Sequence, residues 1–122
     1  MAKTILLVDD NPEVLGLLSR LLEAGKGYDI CAQAVNGQEG IDLAQKFRPD
    51  LIILDLSMPV VTGMDAAKEL KKILPEVPII LFTVFPDLGR YLQRKTELPV
   101  DRIVSKSDSH ALLEQVKSIL PA

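Results

Sequence analysis

Leu51-Ile52-Ile53-Leu54-Asp55-Leu56-Ser57-Met58-Pro59 decides how this chain folds. Four apolar residues in a row, β-branched at the centre, read as a strand buried on both faces. The run then ends in a carboxylate. A charge buried without a partner costs several kcal/mol. Asp55 is therefore expected just past the core, at the carboxyl end of the strand, facing a ligand. In open α/β sheets that edge is where chemistry is placed. Working outward, Thr4-Ile5-Leu6-Leu7-Val8 ends the same way, in Asp9 and Asp10.

The segments between these strands carry helix signals. Asn11-Pro12-Glu13 reads as an N-cap, a proline at the first helical position and an acid in the first turn. Val14, Leu17, Leu18, Leu21 and Leu22 follow at helical spacing, and Gly25-Lys26-Gly27 closes the helix. A second strand runs from Tyr28 to Ala34, where Cys31 is expected as a small buried hydrophobe. Asn36 and Glu39 have capping-box spacing ahead of a stripe of Ile41, Ala44 and Phe47, which stops before Pro49. After Asp55, Thr62 caps a helix with Ala66, Ala67, Leu70, Ile73 and Leu74 on its apolar side. Pro75 and Pro78 bracket the turn into a fourth strand, Ile79 to Thr83. A weaker helix follows over Asp87 to Lys95, interrupted by Gly89. A fifth strand, Ile103-Val104-Ser105, leads to Lys106 and a last helix from about Ser109 to Leu120.

Five strands alternating with five helices call for a parallel sheet with right-handed crossovers. The expected fold is a flavodoxin-like doubly wound sheet in the order 2-1-3-4-5 with helices on both faces. At 122 residues, with no repeat or linker visible, the chain reads as one domain. Its net charge of −3 argues against a nucleic-acid surface. A single cysteine forms no internal disulfide, and the longest apolar runs are far short of a membrane span. No signal peptide is visible, so a cytoplasmic location is expected.

Strand order 2-1-3-4-5 makes strands one and three neighbours, so Asp9, Asp10 and Asp55 share one crevice, with Thr83 and Lys106 beside it. Three carboxylates at close range need a counter-charge. A hard divalent cation such as Mg²⁺ supplies it through oxygen ligands, and Lys106 adds one positive charge. A phosphoryl group, bridging the metal and accepting from Lys106 and Thr83, completes the set and can be transferred to a carboxylate. Any one Asp alone is equally a turn or cap residue, and the lone Thr83 or Lys106 a strand-end or surface side chain. The combination is what points to chemistry.

On these residues the chain resembles the receiver domains of two-component response regulators, in size the single-domain chemotaxis type. The match rests on Asp9-Asp10 after the first strand, Asp55 after the third, and Met58-Pro59-x-x-Thr62-Gly63-x-Asp65. Thr83 after the fourth strand and Lys106 after the fifth complete it. The resemblance implies a single receiver domain over residues 1–122 with no output domain. It makes Asp55 the phosphoacceptor, with Asp10 and Asp55 as direct Mg²⁺ ligands, Asp9 acting through water and the Ser57 carbonyl as a further ligand. Lys106 and Thr83 would contact the phosphoryl oxygens. A sensor histidine kinase or a phosphotransfer protein would be the donor, with a downstream target as partner. The protein would be no enzyme beyond its own modification and demodification.

Three positions and one segment depart from the family pattern. Ile103 stands where an aromatic residue usually precedes the lysine by three, Ser107 replaces the proline after it, and Val84 replaces a small residue after the threonine. Val84 to Val100, with Pro86, Gly89 and Pro99, is unlike the usual fourth helix. The competing readings are a phosphorylation-independent interaction or dimerisation module, and a Mg²⁺ phosphohydrolase. The latter wants an acid two residues after its nucleophile, where Ser57 stands. A nucleotide-binding fold lacks its Gly-rich loop after strand one. The sequence leaves open a homodimer through the last two helices and strand five. Val60 and Val61 read as loop packing rather than as a kinase contact, and His110 as an exposed first-turn residue.

Overall fold

In the computed structural model, which describes residues 2–25, 27–58, 61–95 and 98–122, the strand leading to Asp55 is β3 (Leu51–Leu54), its four residues all buried. It lies at the centre of a five-stranded sheet ordered β2-β1-β3-β4-β5, with every pairing parallel. The elements run β1 (Lys3–Val8), α1 (Pro12–Ala24), β2 (Tyr28–Ala34), α2 (Gly37–Phe47), β3, α3 (Gly63–Ile73). They continue with β4 (Ile79–Thr83), α4 (Pro86–Arg94), β5 (Arg102–Ser105) and α5 (Ser109–Ile119). The expected doubly wound fold and strand order are both observed.

Strand periodicity sorts the apolar side chains into two cores. Ile5, Leu7, Leu51, Ile53, Ile80 and Phe82 face α1 and α5, where they meet Leu15, Leu18, Leu22, Leu112 and Val116. Leu6, Val8, Ile52, Leu54, Ile79 and Leu81 face the other way, onto Ile41 and Ala44 of α2 and Ala66, Ala67 and Leu70 of α3. Central strands covered on both faces explain why their sequence is continuously apolar rather than alternating. Truncating one of these side chains, Ile53→Ala for example, costs about 2–5 kcal/mol.

Side-chain caps fix where the helices begin. Asn11 accepts from Glu13 N, Asn36 from Glu39 N, Thr62 from Asp65 N and Asp108 from Ala111 N. Glu39 reaches back to Val35 N, one residue earlier than a capping box requires.

Several expectations are corrected. Leu17 and Phe47 are exposed, at 51% and 43%, and Leu15 takes the core position that Leu17 was expected to hold. Gly89 does not interrupt α4. It is buried in mid-helix, and a Cβ there would stand 2.8 Å from Leu81 Cδ2. The helix also begins one residue before Asp87, at Pro86, as suits proline in a first turn. Leu88 and Tyr91 point outward, and only Leu92 of that expected stripe packs on the core. Cys31 is half-buried at a β-bulge, its thiol donating to the Ile5 carbonyl, and burial raises its pKa. Lys26, Pro59, Val60, Thr96 and Glu97, on which parts of the sequence reading fall, lie outside the described residues. Val61 packs on the core as expected, and His110 is exposed in the first turn of α5.

Candidate functional site

Each strand-end residue is tied to its neighbouring strand by one backbone bond beyond the regular ladder. Asp9 N donates to Ala34 O (3.0 Å), Asp55 N to Val8 O (2.9 Å) and Lys106 N to Thr83 O (2.8 Å). Side chains attached there inherit the rigidity of the sheet. The loop after Asp55 folds back onto it, with Gly63 N donating to Leu56 O at 3.0 Å. A Cβ at residue 63 would collide with the Asp55 carbonyl oxygen and with Leu56 Cα, both backbone atoms. Only glycine admits that approach.

The three expected carboxylates come together. One oxygen each from Asp9, Asp10 and Asp55 lies within 4.8 Å of the others. Asp9 and Asp55 are buried, at 3% and 5% exposure, while Asp10 is open to solvent. Lys106 reaches in from β5, its ammonium 2.6 Å from Asp9 Oδ2 and 3.5 Å from Asp55 Oδ1. Asp9 is further held by Asn11 N, which donates to its Oδ1 at 2.9 Å. Asp9 thus serves the turn into α1 and the acidic site together.

Asp55 is the group under electrostatic load. Burial pushes its pKa up to about 6, and the negative charge of Asp9 adds to the rise, with a smaller contribution from Asp10. Lys106 and the Ser57 backbone amide draw it down without cancelling the effect. One ammonium among three carboxylates leaves the cluster short of positive charge. All three side chains offer hard oxygen donors, with one carboxylate open to solvent. That donor set fits a hydrated divalent cation such as Mg²⁺.

Thr83 is fully buried at the end of β4, and its hydroxyl accepts from Phe85 N at 2.9 Å. A hydroxyl that accepts one bond can still donate its own proton. Val84 beside it is 60% exposed and Phe85 52% exposed. Ile103 lies beneath α4, its Cγ2 3.5 Å from where a Gly89 Cβ would be.

Three features escaped the sequence reading: the backbone contact at Gly63, the Thr83–Phe85 bond and a hydroxyl pair around Lys106. In that pair Ser105 Oγ lies 2.8 Å from Ser107 Oγ and accepts from Ser107 N at 3.2 Å. The Ser-Lys-Ser spacing was the one available signal, since Ser and Thr side chains commonly bond the backbone two residues on.

Comparison with known proteins follows the same lines. Residues 5–117 match the family described as the response regulator receiver domain. The chain is 34% identical over 125 residues to the polar-differentiation response regulator DivK of Brucella anthropi, covering 98% of each. It is 36% identical over 89 residues to a protein-glutamate methylesterase/protein-glutamine glutaminase of Photobacterium profundum, covering 73% of this chain but 22% of that protein. The chain spans less than two-thirds of the length of several curated relatives it matches. Among solved structures, response regulator TrrA of Thermotoga maritima, in complex with Mg²⁺ and BeF, superposes with a TM-score of 0.85. It is 35% identical, covering 97% of this chain and 99% of that one.

Proposed function

The chain belongs to the response regulator receiver domain family, and from that premise we propose that it is a phosphorylation-controlled signalling switch with Asp55 as its phosphoacceptor. The observation that carries the reading is a buried carboxylate close to two others, with one lysine ammonium beside it. In the reaction an oxygen of ionised Asp55 attacks the donor phosphorus. The bond from phosphorus to the donor nitrogen or oxygen breaks, and a mixed acyl phosphate forms on Asp55. Mg²⁺, when bound, supplies positive charge to the transferring oxygens.

This chain's own residues do the rest. Asp10 and Asp55 would hold the metal, with Asp9 acting through water and the Ser57 carbonyl as a further ligand. Lys106 stands between Asp9 and Asp55, where it can pair with a phosphoryl oxygen. Thr83 can donate its hydroxyl proton to another. The added group carries roughly −2 charge, and it shifts the equilibrium toward whichever arrangement of the Thr83 and Lys106 loops binds it better. The donor is a sensor histidine kinase or phosphotransfer protein in the cytoplasm, and the readout is altered binding of a target. The only chemistry is addition and loss of the protein's own phosphoryl group. The complete set of acids beside Lys106 speaks against a module that works without phosphorylation.

Intact mass after incubation with acetyl phosphate and Mg²⁺ tests this. One phosphoryl on the parent chain and none on Asp55→Asn is expected. An unmodified parent, with adduct lifetime controlled by rapid acid quench, overturns it.

A further inference from the structure

The turn between β5 and α5 carries hydrogen bonds that the chemistry above does not use. Ser105, the last residue of β5, and Ser107 flank Lys106 on either side. Ser105 Oγ accepts from Ser107 N at 3.2 Å and lies 2.8 Å from Ser107 Oγ. Asp108 N donates to Ser105 O at 3.0 Å, and Lys106 N to Thr83 O at 2.8 Å. The chain around Lys106 is therefore closed by a hydroxyl bridge from one side and pinned to β4 from the other. A proline at residue 107 would have no N–H to give Ser105 Oγ. The bridge exists because serine stands there.

Lysine is a flexible four-carbon stem with a point charge at its tip. Where its ammonium can reach depends on how firmly its Cα is aimed. Here the ammonium is delivered 2.6 Å from Asp9 and 3.5 Å from Asp55 with the side chain 15% exposed. We infer that Ser105 and Ser107 are positioning residues for Lys106, their hydroxyl bridge holding the β5–α5 turn so that the ammonium is presented to the phosphoryl group on Asp55. The role rests on Asp55 being the phosphoacceptor. A bridge that merely finishes a turn would affect stability alone. One that aims Lys106 affects how phosphoryl oxygens are bound.

The test uses Ser105→Ala, Ser107→Ala and the hydroxyl-retaining Ser105→Thr. Three readouts are compared: thermal unfolding, Mg²⁺ affinity alone, and Mg²⁺-dependent affinity for beryllofluoride, a phosphoryl mimic that reports binding without transfer. Loss of one neutral hydrogen bond corresponds to a factor of about 3 to 10. Both Ala variants are expected to weaken beryllofluoride binding and slow phosphorylation at saturating acetyl phosphate by that factor. Mg²⁺ affinity should be unchanged and Ser105→Thr should restore the parent values. Parent-like beryllofluoride affinity in both Ala variants, or weakening that Ser105→Thr fails to rescue, overturns the positioning role while leaving Asp55 chemistry standing. A parent chain that neither binds beryllofluoride nor takes phosphoryl overturns the phosphoacceptor reading, and this role with it.

Discussion

Asp55 binds its proton more tightly in the folded protein than an unfolded chain would. Between the ordinary carboxylate range near ~4 and its folded value of about 6, the folded state carries a proton that the unfolded state has lost. Stability contributed by this group therefore falls as pH rises through that window. Above it, ionised Asp55 costs on the order of 3 kcal/mol. Without Mg²⁺ near neutral pH, Asp55→Asn is expected to raise the unfolding free energy by about 1–3 kcal/mol. Its advantage should vanish as pH is lowered toward about 4. Urea denaturation at both pH values checks this, and a less stable variant at neutral pH would contradict it. Metal and proton compete for the same oxygens, so Mg²⁺ affinity measured by calorimetry should weaken as pH drops through about 6. Equal affinity on both sides of that value would count against Asp55 as a ligand. At this scale the meeting of Asp9, Asp10, Asp55 and Lys106 was legible because each stands just past an apolar strand that has no use for it. The Thr83–Phe85 and Ser105–Ser107 bonds were not, because serine and threonine make such local bonds in most turns without consequence.

At the scale of elements, the loop from β3 into α3 depends on one missing side chain. Gly63→Ala would set a Cβ against the Asp55 carbonyl and Leu56 Cα, and backbone atoms cannot step aside as a side-chain end can. The expected loss is about 1–3 kcal/mol, with Mg²⁺ affinity falling as well because Asp55 moves. A folded Gly63→Ala protein with parent stability and metal binding would show that the loop is not held this way. Removing the α2 cap in Asn36→Ala should cost about 1 kcal/mol and leave metal binding unchanged. Helix starts were readable from cap spacing, since a cap is a local bond between near neighbours. Helix faces were less so. Leucines at 15, 17, 18, 21 and 22 surround much of α1, and spacing alone does not choose Leu15 over Leu17 as the buried one. Phe47 ends α2 with the Lys46 ammonium 5.3 Å from its ring instead of core around it. Gly89 reads as a helix breaker in sequence, yet it packs against Leu81 of β4, where a Cβ would crowd the Leu81 side chain.

Across the molecule, the two ends of the sheet have separate tasks. At the amino ends of β4 and β5, Asp101 Oδ2 accepts from Ile79 N (2.8 Å) and from Lys71 Nζ (2.9 Å), joining α3, β4 and β5. Asp101→Ala leaves Ile79 N without that acceptor and should cost about 1–3 kcal/mol. It lies at the far end from Asp55, so Mg²⁺ affinity and phosphorylation rate should be unchanged; a slowed rate would show the ends to be coupled. The strand order was legible because alternating strands and helices leave few topologies. The alternate sorting of strand side chains into two cores was not, because β3 and the first four residues of β4 are apolar throughout. At the carboxyl end three acids and a lysine meet, and there the proposed switch would take its phosphoryl group on one acid. The direct measurement is borohydride reduction of the phosphorylated chain, which converts an aspartyl phosphate to homoserine, followed by peptide mass spectrometry. Homoserine at residue 55, and at neither 9 nor 10, is the predicted result; homoserine at 9 or 10, or at no position in a chain shown to carry phosphoryl, would contradict it.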